Sequence, residues 1–172
     1  MKRLVSRMTA VGLVVMFVVA SIGLSAQAAE KKKISGTNKR ERIVSQTTVN
    51  PGDVPNHELV QGVRINSNTS SNADFNGEAM AYYQDDHVAG SGSHRVYWTL
   101  TNKNGDRATL FSEGTHKTTT KEGGARETTW EGKCQWMGGT GKFKNIKGPC
   151  TYTGKANSEG VWINNWEGEV EY

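Results

Sequence analysis

No apolar run in this sequence is long enough to cross a bilayer as a helix. The longest, VGLVVMFVVASIGL at residues 11–24, has fourteen residues, against roughly 20 for a spanning helix. The run follows Lys2, Arg3 and Arg7 and precedes the small residues SAQAA. A basic start, a short apolar stretch and an Ala-x-Ala site are the parts of a secretory signal peptide. The expectation is cleavage after Ala28 or Ala29 and a periplasmic or extracellular product with no membrane span. No cysteine lies near the cleavage site, which argues against a lipid anchor.

Strong charge is also lacking. The chain holds 21 basic and 17 acidic residues. Residues 1–29 carry three basic residues and no acid, and six more basic residues lie in EKKKISGTNKRER, residues 30–42. From Ile43 onward the balance is 12 basic against 15 acidic. A nucleic-acid partner needs basic residues gathered on a folded face, so none is expected. Residues 30–42 are read as a basic, flexible tail, and residues 43–172 as one domain.

Helical periodicity is almost absent after the leader. Apolar and polar residues alternate, and turn residues recur at short intervals, as in half-buried strands. Eight strands are predicted, at 43–49, 57–66, 76–85, 94–102, 107–119, 125–136, 147–155 and 161–171. In ARETTWEGKCQW, Thr128, Trp130, Cys134 and Trp136 take one face and Glu127, Thr129, Glu131 and Lys133 the other. Leu59, Val63 and Ile65 share a face of the second strand, and Trp162, Trp166, Val170 and Tyr172 share one of the last. Asn104-Gly105 marks a hairpin. NSNTSSNADFNG, residues 66–77, reads as a polar loop, with Asn68-Thr69-Ser70 matching a glycosylation sequon. Eight half-buried antiparallel strands suit an all-β, up-and-down barrel, whose closure removes exposed edges. A two-sheet sandwich is the alternative.

Chemical motifs are few. MGGTGKFKNIKG, residues 137–148, fails the phosphate-loop template: aligned on Gly141-Lys142, Trp136 stands where the first glycine belongs and Phe143 where the hydroxyl belongs. The stretch reads instead as a tight glycine turn, with Phe143 and Ile146 folding back as a plug and Lys142, Lys144 and Lys147 in solvent. YYQDDHVAGSGSH, residues 82–94, gathers Asp85, Asp86, His87 and His94 without a metal-ligand spacing. It is read as a hydrated Gly/Ser loop, His57 and His116 lie apart from it, and no metal is expected. Glu131 and Glu167, in two Trp-Glu-Gly triplets, are read as outward charge.

Cys134 and Cys150 share the inward face of strands six and seven. If those strands pair, they sit opposite each other and form a disulfide, as an exported chain permits. A catalytic thiol would need an inward positive charge nearby, and the register offers none.

GGTGKFKNIKG, followed by GPCTYTGKA and a C-terminal WEGEVEY, resembles the allene oxide cyclase barrel-like group, whose glycine signature dirigent proteins share. The family's motif positions fall on Gly138, Gly139, Thr140, Gly141, Lys142 and Phe143, with Lys147-Gly148 opening the next strand. The resemblance implies an eight-stranded antiparallel barrel of calycin-like form with a central cavity, often in a homo-oligomer. Allene oxide cyclases rearrange an unstable fatty-acid epoxide without a cofactor; dirigent proteins steer phenoxyl radical coupling. Their catalytic groups lie inside the barrel and map onto no residue of this chain one by one.

Inward tryptophans are the remaining feature. Such rings are core first, yet an eight-stranded barrel also has room for one small ligand. Trp98, Trp130 and Trp166 are the candidates to line a pocket for a small apolar or aromatic molecule, with no cofactor. The alternatives are a cofactor-free isomerase, with Gln61, Gln84 or Thr128 as inward polar groups, and a filled structural barrel. Exported material is expected to begin at Ala29 or Glu30. Intact mass spectrometry checks this, and a mass retaining residues 1–28 refutes cleavage.

Overall fold

The computed structural model describes residues 30–172; the expected signal peptide lies outside them. Eight antiparallel strands follow one another: β1 (Lys32–Val49), β2 (His57–Ser70), β3 (Gly77–Val88), β4 (Ser91–Asn102), β5 (Arg107–Thr120), β6 (Arg126–Gly139), β7 (Gly148–Asn157) and β8 (Trp162–Val170). Each pairs with its sequence neighbours, and β1 pairs with both β2 and β8, closing an up-and-down barrel. The sandwich alternative is thereby excluded. No helix among the described residues is long and apolar enough to cross a membrane.

The segment expected to be a flexible tail is the first half of β1. Lys32 to Lys39 pair with Val170 to Ile163 on β8, and Gly36 to Arg40 with Ser70 to Asn66 on β2. Its basic side chains are exposed, while Ile34 and Asn38 turn inward and are buried. The charges therefore belong to a paired strand, with Arg40 beside Asn38 on its cavity side.

The face of β2 differs from expectation as well. Leu59 is exposed. The inner face carries Val60, Gly62, Arg64, Asn66 and Asn68, so most of the apolar residues lie outside and most of the polar ones inside. Period-two alternation places residues on opposite faces, but only pairing decides which face meets the lumen. The polar loop is also shorter than predicted: residues 66–70 continue β2, and a 3-10 turn, Ala73–Phe75, follows. The sequon asparagine, Asn68, is buried, bonded to the Phe75 carbonyl and accepting from Trp166 Nε1 at 2.9 Å. It is thus closed to glycosylation in the folded chain.

That turn seals one barrel end. Phe75, Phe143 and Val170 are fully buried, and Ile146 nearly so. Phe75 lies with its ring centroid 5.0 Å from Phe143, 5.3 Å from Trp136 and 5.7 Å from Tyr172. The glycine motif builds the lid beside it. Gly141 has φ +54°, and a Cβ there would meet the Asp106 carboxylate. Thr140 Oγ1 accepts from the Arg107 backbone N–H (3.0 Å). Lys142 is exposed, as expected, and pairs with Asp74 at 2.5 Å, tying the β6–β7 connection to the β2–β3 connection. Phe143 and Ile146 plug the barrel as the sequence reading has them; Lys144 and Lys147 are exposed.

Inward glycines make room for rings on neighbouring strands. Tyr83 lies across Gly62, Tyr152 across Gly132, Trp130 across Gly154 and Trp166 across Gly36. This small-against-large matching fits bulky side chains into a narrow barrel. Cys134 and Cys150 face each other in register on β6 and β7 and are joined by a disulfide, with Cα atoms 4.8 Å apart. Replacing both by serine should lower stability by about 3 kcal/mol on the chain-entropy model. Urea denaturation measures this, and an unchanged midpoint would contradict it.

Candidate functional site

Above the plug the barrel is hollow. A cavity of about 780 Å³ fills the lumen, so a filled structural barrel does not describe this interior. It extends to the end opposite the plug, where Glu58, Gly90, Arg126 and Ser158 stand at the rim. The β3–β4, β5–β6 and β7–β8 hairpins surround this mouth.

All three expected lining tryptophans, Trp98, Trp130 and Trp166, face the cavity. Each indole N–H already has an internal acceptor. Trp98 Nε1 donates to Ser112 Oγ (3.0 Å), Trp130 Nε1 to Asn164 Oδ1 (2.7 Å) and Trp166 Nε1 to Asn68 Oδ1 (2.9 Å). Buried indoles normally find such partners. The consequence is that the rings are held rigidly and offer the lumen apolar surface without free donors. Trp130 also stacks on Trp162, with centroids 4.9 Å apart and planes 24° from parallel.

The polar candidates divide. Gln61 and Gln84 are exposed on the outer face of the barrel, which corrects their inward placement. Thr128 does face the cavity, hydrogen-bonded to Thr118 Oγ1 at 2.8 Å. Glu131 and Glu167 are exposed, as expected.

The stretch expected to be a Gly/Ser loop is instead the β3–β4 hairpin, and strand alternation sends its residues to opposite sides. Asp85, His87 and His94 line the lumen, where His116 of β5 joins them. Asp86 stays outside and, with Asp53, holds His57: the two ring nitrogens lie 2.6 Å from Asp53 and 2.9 Å from Asp86. The His94 and His116 Nδ1 atoms are 3.5 Å apart. Among the described residues no group of three His, Cys, Asp or Glu side chains has the geometry to hold a metal ion.

His94 Nε2 is 2.7 Å from the Tyr152 hydroxyl. Burial pushes the His94 pKa down to about 4, and the neighbouring His116 and Arg64 add to the shift. Burial lowers His116 too, and it raises the Tyr152 phenol. The pair is therefore a neutral imidazole bonded to a neutral phenol at neutral pH. It is able to pass a proton but carries no charge of its own.

The largest omission of the sequence reading is Arg64. Its guanidinium carbon lies 4.5 Å from the Trp162 ring centroid, 4.9 Å from Tyr83 and 5.3 Å from Trp98. These rings come from β8, β3 and β4, strands within two places of β2 around the barrel, so the side chain reaches into the lumen among them. Burial lowers its pKa to about 10, with Asp85 the first opposing influence. It remains a cation at any physiological pH. The one available sequence signal was an arginine between Val63 and Ile65, on the face opposite the apolar one that looked inward.

No family model matches the chain, and no curated protein matches it. Among solved structures it is similar to a pterocarpan synthase dirigent protein: 12% identity, TM-score 0.35, covering 95% of this chain and 99% of that one. That superposition is too loose to carry any statement about the site. The barrel rests on its own strand pairings.

The His94 shift fixes a pH dependence. The unfolded chain takes up a proton near pH 6.5, and the folded chain withholds it until about pH 4. The unfolded state binds more protons between those values, so stability rises with pH across the window and is lost as pH falls. Urea midpoints should fall on the order of 1–3 kcal/mol in free energy from pH 6.5 to pH 4, and His94→Asn should flatten the curve. Identical slopes for the two proteins would remove His94 as the cause.

Proposed function

We propose that this barrel is an exported binding protein that holds one small, largely apolar or aromatic molecule in its lumen. The observation that carries the reading is the hollow: about 780 Å³, plugged at one end and walled by tryptophans, of which Trp98, Trp130 and Trp166 have their N–H groups engaged. Ligand sites are typically clefts of roughly 300–1,000 Å³ with apolar walls and a few placed polar groups. The disulfide and the leader sequence support an oxidising, exported setting. The glycine motif supports kinship with allene oxide cyclase-like and dirigent-like barrels.

A cofactor-free isomerase or cyclase is the second reading, favoured by the His94–Tyr152 hydrogen bond inside the lumen. It predicts that a bound ligand is converted to an isomer of the same mass, with conversion lost and affinity kept in Tyr152→Phe. Recovery of every bound ligand unchanged would retire it.

Titration with fatty acids and simple phenolics tests the binding reading. The expected result is a saturable change in tryptophan fluorescence at one molecule per barrel. Leu110→Trp, which narrows the cavity from β5, should weaken the binding measured by calorimetry. Absence of a saturable response to any class would overturn the proposal, as would undiminished binding to the narrowed variant.

A further inference from the structure

We propose that the molecule held in the lumen bears a carboxylate on an apolar body, and that Arg64 is its counter-ion. The inference rests on the binding reading above and narrows it to a ligand class.

Arg64 is a cation with nothing to pair with. Among the described residues it makes no ion pair and none of the side-chain hydrogen bonds. Its Nε is buried without a partner. Asp85 lines the same cavity and acts on Arg64 through space, without reaching ion-pair distance. Leaving a buried charged donor unpaired is costly, more so than leaving a neutral one. A side chain of this kind in a hollow site implies that its acceptor arrives from outside.

The geometry specifies the acceptor. Guanidinium has five N–H donors in a flat fork that matches a carboxylate through two parallel hydrogen bonds. Tyr83, Trp98 and Trp162 hold it by cation–π contact. Such contacts engage the charge and leave the N–H edge free, so the aromatic sleeve positions the fork without consuming its donors. Trp98, Trp130 and Trp166 offer an apolar body ring surface without free donors, beside polar groups such as Gln46, Thr118 and Thr128 elsewhere on the wall. His94 and His116 are kept neutral by burial, so the fixed positive charge comes from arginines: Arg64, held among the rings, and Arg40, exposed on β1 beside the same cavity. Asn38, on the same cavity wall, has a buried side-chain oxygen that is also without a partner.

Matched acids and amides test the idea by calorimetry. Naphthalene-2-carboxylate against its amide represents an aromatic acid; octanoate against octanamide represents an aliphatic one. The wild-type protein should bind at least one acid about tenfold or more tighter than its amide, and the pair with the larger preference identifies the kind of acid. Arg64→Met should lose that preference, weakening the acid about tenfold and moving the amide less than about threefold. Arg64→Lys, a point charge without the fork, should keep part of it. Arg64→Met should melt no lower than wild type, because it removes an unpaired buried charge; a clear drop would make Arg64 a structural strut and overturn the proposal. Equal affinity for acid and amide in the wild type needs no variant and overturns the proposal while the binding reading stands. Failure of all four probes to bind overturns both.

Discussion

Pairing of β1 with β8 is the constraint on which the rest of the structure depends. It closes the sheet, gives every strand two neighbours and leaves no edge for another chain to extend. Closure also fixes a lumen of set width, because diameter follows from strand number. Once the width is set, each inward side chain must share space with those of strands across the barrel, and the chain's choice of residues becomes a choice of what fills the lumen and what stays empty.

The two ends use this space differently. At the plugged end, Phe75, Phe143, Ile146 and Val170 pack to full burial, and the Lys142–Asp74 pair links the two connections that supply the phenylalanines. Toward the mouth the inward positions pass to His87, His116, Thr118 and Thr128, which stop short of filling the section. Four of the large rings between the ends are fitted by deletion: a glycine on the neighbouring strand stands against Tyr83, Trp130, Tyr152 and Trp166. Rigid rings against bare backbone give a wall that keeps its shape when the cavity is empty. That is the property a preformed site requires.

Most of the strand pattern was legible because alternation is a local property. β3 to β8 fall within a few residues of their expected positions, and the Cys134–Cys150 register followed from facing positions on adjacent strands. What escaped depends on non-local pairing. The basic run at 32–42 has the composition of a solvated tail, and only its partners on β8 and β2 make it a strand. On β2 the more apolar face is the outer one, so Leu59 misdirected the assignment and hid Arg64. Phe75 was masked by the asparagines and serines around it, although a lone aromatic ring in a polar loop is itself a signal of docking. The histidines looked scattered because His94 and His116 lie on different strands, and the β4–β5 register alone brings them within 3.5 Å.

The lumen applies one physical effect to several ionisable groups, and their ordinary pKa values decide the outcome. Desolvation disfavours charge at every buried group. For His94, which starts near 6.5, the shift to about 4 removes the charge at neutral pH. For Arg64, which starts near 12.5, a comparable shift to about 10 leaves the charge intact. Burial thus leaves His94 and His116 neutral and Arg64 charged. The charge of Arg64 then stays constant across the neutral range, while Asp85, pushed upward by the same burial, is the lumen acid moved toward that range. A weakly acidic ligand entering such a site meets an unchanging guanidinium, so its own ionisation becomes a principal determinant of how firmly it is held.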